Sequence, residues 1–232
     1  MGAEERSCID CGVVNCLNEN SKFPAFCPTA GMDAQVEQRV RELYKDPENL
    51  KFMQTAASVE YDGYCRWPRV YETVEFCKRM GFKKIGIATC VGLIKESNTL
   101  AKIFRSHGFE VYGIGCKVGT IPKVDVGIPE KYTEIGRCIC NPIMQAELLG
   151  MAGTEFNLVV GLCVGHDTVF YKYSKAPVTT IITKDRVTCH NPAAVLYSGF
   201  YTKKLYGDAR EQCPDTLKPA AAAENVPEAN NL

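Results

Sequence analysis

Cysteine is the residue type that best equips this sequence for chemistry, with 13 cysteines in 232 residues. Four of them fall in one short segment with little apolar periodicity, spaced C-x2-C, then four residues and a cysteine, then ten residues and a cysteine: Cys8, Cys11, Cys16 and Cys27. Four thiolates complete a tetrahedral shell, and a bound metal holds a segment that lacks a core of its own. We therefore predict a metal site, for which zinc and an iron–sulfur cluster fit the spacing equally.

A second group of cysteines follows apolar runs that predict buried strands. Cys90, Cys116 and Cys163 come at or just after the ends of the runs 84–89, 109–115 and 156–162. Parallel strands end at a common edge of the sheet, which is where open α/β sheets bind ligands. Three thiolates there would leave one iron of a 4Fe–4S cluster open to substrate, or bind a soft metal. The alternative is that each cysteine is a small buried hydrophobe.

Cys140 stands directly before Asn141 and Pro142, a pair that predicts the start of a helix. The positive end of a helix stabilises a thiolate, so Cys140 is a candidate fourth ligand or a nucleophile. The same order of residues recurs at Cys189, which precedes His190, Asn191 and Pro192. Asn-Pro also opens helices that carry no chemistry.

Three charged or titratable residues adjoin these thiols in the sequence: His166, Asp167 and Lys117. A histidine beside thiols can move protons or bind a metal, and a lysine lowers the pKa of a nearby thiol. We take these three as candidate catalytic residues, the alternative being loop-capping and surface roles. Glycines near the first predicted strand do not form a GxGxxG fingerprint, so a dinucleotide is not indicated.

The elements that must position these residues alternate between strand and helix from residue 83 onward. Strands are predicted at 84–89, 109–115, 156–162 and 178–183, and helices at 93–106, 142–151 and 193–205, with a short helix after the third strand. This order predicts an α/β fold, a flavodoxin-like or Rossmann-like parallel sheet with helices on both faces. Three helices are predicted before the sheet, at 32–44, 50–61 and 70–80.

We divide the chain into four parts on this basis. They are a Cys-rich metal-binding segment (1–31), a helical segment that packs on the core (32–82), the α/β core domain (83–207) and a disordered tail (208–232). At 46% hydrophobic residues the chain is apolar enough to bury a sizeable core.

Composition excludes several classes of partner. Lys plus Arg and Asp plus Glu each total 27, and no basic run forms a track for nucleic acid. No stretch approaches the roughly 18 apolar residues of a membrane span, and the N-terminus has no apolar signal core. We expect a cytoplasmic protein whose partner is a small-molecule substrate or a metal, and a homo-oligomer stays open. In a reducing compartment many thiols indicate metal or thiol chemistry before disulfides.

Six stretches of the chain read KKIGIATCVGL, GCK, CNP, GLCVGHD, SKAPVTT and KDRVTCHNPAAVLY. Together with the N-terminal CxxC segment, they resemble an uncharacterised family of small cysteine-rich proteins, a domain of unknown function labelled as metal-binding and common in anaerobes. The resemblance covers most of residues 8–206 and implies metal binding. It draws attention to Cys8, Cys11, Cys16, Cys27, Cys90, Cys116, Lys117, Cys140, Cys163, His166, Asp167, Lys184, Asp185 and Arg186.

The leading functional hypothesis is an iron–sulfur protein. Some three of the rim cysteines, our name for Cys90, Cys116, Cys140 and Cys163, would hold a 4Fe–4S cluster whose open iron serves sulfur transfer or reduction of a small molecule. One alternative is a non-catalytic protein that binds, delivers or senses a metal or cofactor, with structural zinc at the four N-terminal cysteines. Another is a thiol-redox protein that uses Cys138 and Cys140, or Cys189. The sequence leaves open whether the protein is an enzyme.

Overall fold

A computed structural model describes residues 6–19 and 21–205 of the chain. The tail 208–232, predicted above to be disordered, lies outside these residues. The chain divides into two compact units, one up to Asp62 and one from Gly63. Within the part that the structure describes, no helix is both long and apolar enough to cross a membrane.

The first unit contains two short 3-10 helices, Cys8–Asp10 and Asn15–Leu17, followed by α1 (Ala34–Leu43) and α2 (Pro47–Gly63). The carboxylate of Asp33 caps α1 and accepts a hydrogen bond from the Gln35 N–H at 2.7 Å. Asp46 opens α2 in the same way, accepting from the N–H groups of Glu48 and Asn49 at 3.0 and 3.1 Å. This cap explains why α2 begins three residues before the apolar pattern predicts it.

The second unit alternates helices and strands, as its sequence predicts. Its elements in chain order are α3 (Arg69–Met80), β1 (Lys84–Thr89), α4 (Ile94–Ser106), β2 (Glu110–Gly115), α5 (Pro142–Met151), β3 (Phe156–Val160), α6 (His166–Tyr173), β4 (Val178–Ile182), α7 (Ala193–Tyr197) and α8 (Gly199–Leu205). The single helix expected over 193–205 is divided at Ser198, whose extended backbone ends α7.

All four strands pair in parallel in the order β2-β1-β3-β4. The chain leaves β1 toward one edge, makes β2, and then crosses back over β1 to form β3 on the other side. The prediction of an α/β fold with a parallel sheet is confirmed, and the order is that of the flavodoxin-like layering. The connections leave β1 and β3 in opposite directions, and open α/β sheets bind ligands outside the carboxyl ends of strands at such a switch point.

Helices cover both faces of the sheet. Neighbouring residues of β1 show this, since their side chains pack on different helices. Thr89 faces α4, and the Ser97 hydroxyl donates to its Oγ1 at 2.6 Å. Ala88 points the other way, into a buried cluster with Ala146 of α5 and Phe170 of α6. Alternation along a strand therefore directs even-numbered side chains of β1 to the α5–α6 layer. Cys90, two residues after Ala88, belongs to that same cluster.

Candidate functional site

The ends of β1 and β2 bring Cys90 and Cys116 to one edge of the sheet. Thr89 pairs with Gly115, and one residue further the Cys116 N–H donates to the Thr89 carbonyl at 2.8 Å. The Cys90 N–H donates to the Val160 carbonyl of β3 at 3.0 Å. Both side chains are buried, with 8% and 2% of the surface of Cys90 and Cys116 exposed. The carboxyl edge of the sheet therefore holds these two thiols at the switch point between β1 and β3.

The long connection from β2 to α5 returns Cys140 to the same edge. The beginning and the end of this connection are hydrogen-bonded to each other, since the Ile139 N–H donates to the Ile121 carbonyl at 2.9 Å. The Asn141 N–H then donates to the Cys116 carbonyl at 2.7 Å, and the Lys117 ammonium donates to the Cys138 carbonyl at 2.6 Å. These bonds join the residues on both sides of Cys140 to the end of β2.

Cys140 and Cys116 share a side-chain hydrogen bond, and the His166 imidazole makes a second one to Cys140. The two bonds, with the charges of Lys117 and His166, lower the pKa of the Cys140 thiol to about 4. The bond to Cys140 and burial raise the pKa of Cys116. The bond to Cys140 also raises the pKa of His166. The arrangement places a half-buried thiol of lowered pKa between a buried thiol and an imidazole, both of raised pKa.

The start of α5 adds to this stabilisation of Cys140. The Asn141 side chain caps the helix, accepting from the Met144 N–H at 3.1 Å, and Pro142 occupies the first turn. Cys140 thus precedes the positive end of a ten-residue helix, as the sequence predicts. Cys77 of α3 is the contrasting case, because burial alone raises the pKa of that thiol to about 12.

Cys163 reaches the edge on a tight loop between β3 and α6. The strand ends at Val160, two residues earlier than predicted, because Gly161 turns the chain with a φ of +63°. A Cβ on Gly161 would lie 2.0 Å from Leu93 Cδ1, so another residue there would displace Leu93 and be strained at this φ. Arg186 donates to Cys163 Sγ at 3.2 Å. The charges of Cys90 and Cys140 also act on this guanidinium, so Arg186 links Cys163 electrostatically to the other rim cysteines.

The remaining sequence candidates lie near this group in different roles. His166 is the first residue of α6 and contacts Cys140. Asp167 Oδ1 accepts a hydrogen bond from the adjacent Thr168 N–H at 2.8 Å, a local bond within the first turn of α6. Asp185 accepts from the N–H groups of Val187 and Thr188 and so shapes the loop that carries Arg186.

Gln145 is a residue of this edge that sequence reasoning missed. It is fully buried in α5, and its Nε2 donates to the carbonyls of Thr89 and Ile114 at 3.1 and 2.7 Å. Because both partners are acceptors, the amide orientation is fixed. The side chain therefore ties α5 to the ends of β1 and β2, beneath Cys90 and Cys116. A glutamine among the apolar residues of this helix is the signal that could have identified it.

The four N-terminal cysteines of the first unit line one cavity of about 160 Å³. Cys27 accepts hydrogen bonds from the Thr29 side chain and from the N–H groups of Thr29 and Ala30. Desolvation opposes these bonds, but together they hold the pKa of Cys27 below its ordinary value. Among the described residues, no three His, Cys, Asp or Glu side chains in either unit are placed to hold a single metal ion.

Comparison with known proteins identifies the family of this chain. A family model described as "Protein of unknown function (DUF1847)" matches residues 27–181. That range includes all four rim cysteines and His166. An uncharacterized protein of Methanocaldococcus jannaschii is 49% identical over 174 residues, which are 73% of this chain and 88% of the relative. The chain therefore belongs to the DUF1847 family of proteins of unknown function.

Proposed function

We propose that the second unit is a thiol–disulfide exchange catalyst in which Cys140 is the nucleophile and Cys116 the resolving thiol. The observation that carries this proposal is the hydrogen-bonded series from Cys116 through Cys140 to His166. It joins a half-exposed thiolate to a buried thiol and to a proton donor, the parts that such exchange requires. The proposal keeps the thiol-redox alternative of the sequence analysis but changes its residues. The reacting pair is Cys140 with Cys116, and neither Cys138 nor Cys189 takes part.

The exchange runs in two displacements. The Cys140 thiolate attacks one sulfur of a substrate disulfide, a new S–S bond forms, and the departing thiolate takes a proton from the His166 imidazolium. Cys116 then attacks Cys140 Sγ, and its proton passes to the second departing thiolate. The substrate disulfide gains two electrons and becomes two thiols, while Cys116 and Cys140 become a disulfide. An external dithiol returns the pair to its reduced form.

The roles of the two cysteines follow from their exposure and connections. Cys140 is half-buried and so open to a substrate, whereas Cys116 has 2% of its surface exposed. The bonds from Asn141 and Lys117 hold the Cys140 backbone against the end of β2, which keeps the two sulfurs together. A nucleophile fixed beside its resolving partner favours the second displacement over release of the mixed disulfide.

Replacing Cys116 tests this assignment. In Cys116→Ala we expect the reaction to stop after the first displacement, so that a disulfide substrate stays attached to Cys140 and intact-mass spectrometry shows a stable adduct. Wild-type protein should instead release both substrate thiols and lose two hydrogens of mass. Cys189→Ser, which alters an exposed cysteine of the same unit, is the matched control and should behave as wild type. An adduct on another cysteine, or release of both thiols by Cys116→Ala, would contradict the proposal.

A second candidate is the metal centre expected from the sequence, a 4Fe–4S cluster or a soft metal at the rim cysteines. It is favoured by the convergence of all four at one edge, with Cys90, Cys140 and Cys163 all acting on Arg186. Such a centre needs the thiols to move, since no three of the described ligands are placed around one ion. An iron left open to solvent would then act on a small molecule by sulfur transfer or reduction.

Metal analysis of Cys163→Ala and Cys90→Ala decides between these candidates. If some three rim cysteines hold a metal, they include Cys90 or Cys163, so anaerobically purified Cys163→Ala or Cys90→Ala should contain less iron, zinc or acid-labile sulfide per chain than wild type. The thiol–disulfide proposal expects the wild-type content in both variants, because neither Cys90 nor Cys163 takes part in the exchange. Cys189→Ser again serves as the control for the loss of one thiol.

A further inference from the structure

We propose that the first unit binds a polynuclear iron–sulfur cluster, not a single metal ion, through Cys8, Cys11, Cys16 and Cys27. The spacing of these cysteines does not distinguish zinc from a cluster. The distinction comes from the size and the apolar lining of the cavity that the four cysteines share.

The cavity is lined by apolar side chains as well as by the cysteines. Phe23, Pro24, Phe26 and Pro28 line it together with Val14, and the four cysteines complete its wall. Apolar surroundings exclude water from a cluster and so protect its sulfides from exchange with solvent. A cysteine from each part of the segment reaches this one space, although neither short 3-10 helix contributes a buried residue.

The size of the cavity separates the two kinds of centre. At about 160 Å³ it resembles the roughly 150 Å³ engineered cavity that holds a benzene molecule. Metal–sulfur bonds of about 2.3 Å put four thiolates roughly 4 Å apart around one ion, and roughly 7 Å apart around a four-iron cube. All four cysteines line this one cavity, which is far larger than a single ion needs. That combination fits the larger group.

The backbone of the segment supplies the supports that a cluster ligand needs. The Cys11 N–H donates to the Cys8 carbonyl at 3.2 Å, which fixes the C-x2-C turn. The Cys27 carbonyl accepts from the N–H groups of Ala30 and Gly31 at 3.0 and 3.3 Å, which fixes the turn that carries this ligand. The Asn15 side chain donates to the Lys22 carbonyl at 2.6 Å and closes the stretch between Cys16 and Cys27.

The test is the metal and sulfide content of the full chain, purified without oxygen. We expect Cys16→Ala and Cys8→Ala each to lose about four iron and four acid-labile sulfide per chain relative to wild type. Cys140→Ala should keep that content, because Cys140 belongs to the other unit. Two matched controls should also keep it: Cys65→Ser removes an exposed thiol elsewhere, and Leu17→Ala alters an exposed residue beside Cys16.

Three results would overturn the proposal. Loss of one zinc without sulfide in Cys16→Ala would show a single-ion site, unchanged iron and sulfide in both ligand variants would show no cluster there, and loss in Cys140→Ala alone would move the cluster to the rim cysteines. The proposal is independent of thiol exchange, because Cys16→Ala should retain the alkylation behaviour of Cys140. Trp67 fluorescence of Cys16→Ala shows whether the second unit stays folded.

Discussion

Alkylation of Cys140 by iodoacetamide should proceed at nearly the same rate from about pH 6 to about pH 8, because the thiol is ionised across that range. An ordinary thiol, with a pKa of about 8.5, reacts about tenfold more slowly for each pH unit below that value. The bonds from Cys116 and His166 and the charge of Lys117 lower the pKa of Cys140 to about 4. The measurement is the rate of modification at Cys140, followed by mass spectrometry on reduced, chelator-treated protein.

The prediction is tested by how the alkylation rate changes with pH and not by the absolute rate at one pH. A thiolate of low pKa is intrinsically less nucleophilic, with a Brønsted slope of about 0.4–0.5, so its greater abundance at pH 6 is largely offset. A flat profile distinguishes the ionised thiol in spite of this compensation. A rate that rises tenfold per unit between pH 6 and 8 would mean that Cys140 is an ordinary thiol, and the nucleophile assignment would fail.

His166→Gln tests how much the imidazole contributes to the low pKa of Cys140. Removing the imidazolium deletes one charge-assisted hydrogen bond to the thiolate, worth about 1.5–3 kcal/mol, which corresponds to an upward shift of about one to two units in the pKa of Cys140. At pH 5 the alkylation rate of the variant should then be about one tenth to one half of its plateau rate, whereas wild type stays near its plateau, so both profiles are measured from about pH 5 upward. His107→Gln is the matched control, because His107 packs against Tyr71 and makes no contact with Cys140 in the described structure. Its profile should stay flat.

The arrangement of Cys90 and Cys116 could be predicted from the sequence because strand ends in a parallel sheet share an edge. Each apolar run ended at a cysteine or one residue before it, and the register of β1 with β2 then fixes the two residues as neighbours. Cys140 could be predicted as a residue before a helix, from Asn141 and Pro142 alone. These inferences need only local pattern and the rules of α/β topology.

The pairing of Cys116 with Cys140 could not be predicted, because it depends on the path of the loop between them. That loop contains only 3-10 turns and one isolated bridge, between Pro122 and Cys138, and no periodicity indicates where it returns. Tertiary hydrogen bonds decide the point of return, chiefly the bond from Asn141 to the Cys116 carbonyl. Cys163 was expected directly after the end of β3, but β3 ends at Val160 because the chain turns at Gly161. That turn, like the path of the loop, depends on tertiary contacts.

Phe170→Ala should lower the free energy of unfolding of the second unit by about 3–5 kcal/mol, a large fraction of the stability of a typical domain. Phe170 is fully buried in the cluster that includes Cys90 and Cys116, and its removal leaves a cavity between α6 and the sheet. Urea unfolding followed by Trp67 fluorescence measures the effect on this unit, since Trp67 is the only tryptophan of the chain. Val164→Ala, at an exposed loop position, should change stability by less than about 0.5 kcal/mol.

The same substitution connects packing to the chemistry of Cys140. Phe170 lies four residues after His166 on α6, so the two side chains project from the same face of the helix. Loss of the buried ring frees the first turn of α6 and weakens the hydrogen bond from His166 to Cys140. Phe170→Ala that still folds should therefore show the sloping alkylation profile of His166→Gln, whereas Phe170→Leu, which keeps an apolar side chain in the cluster, should stay closer to wild type. A flat profile in Phe170→Ala would mean that the loop holds His166 without support from the core.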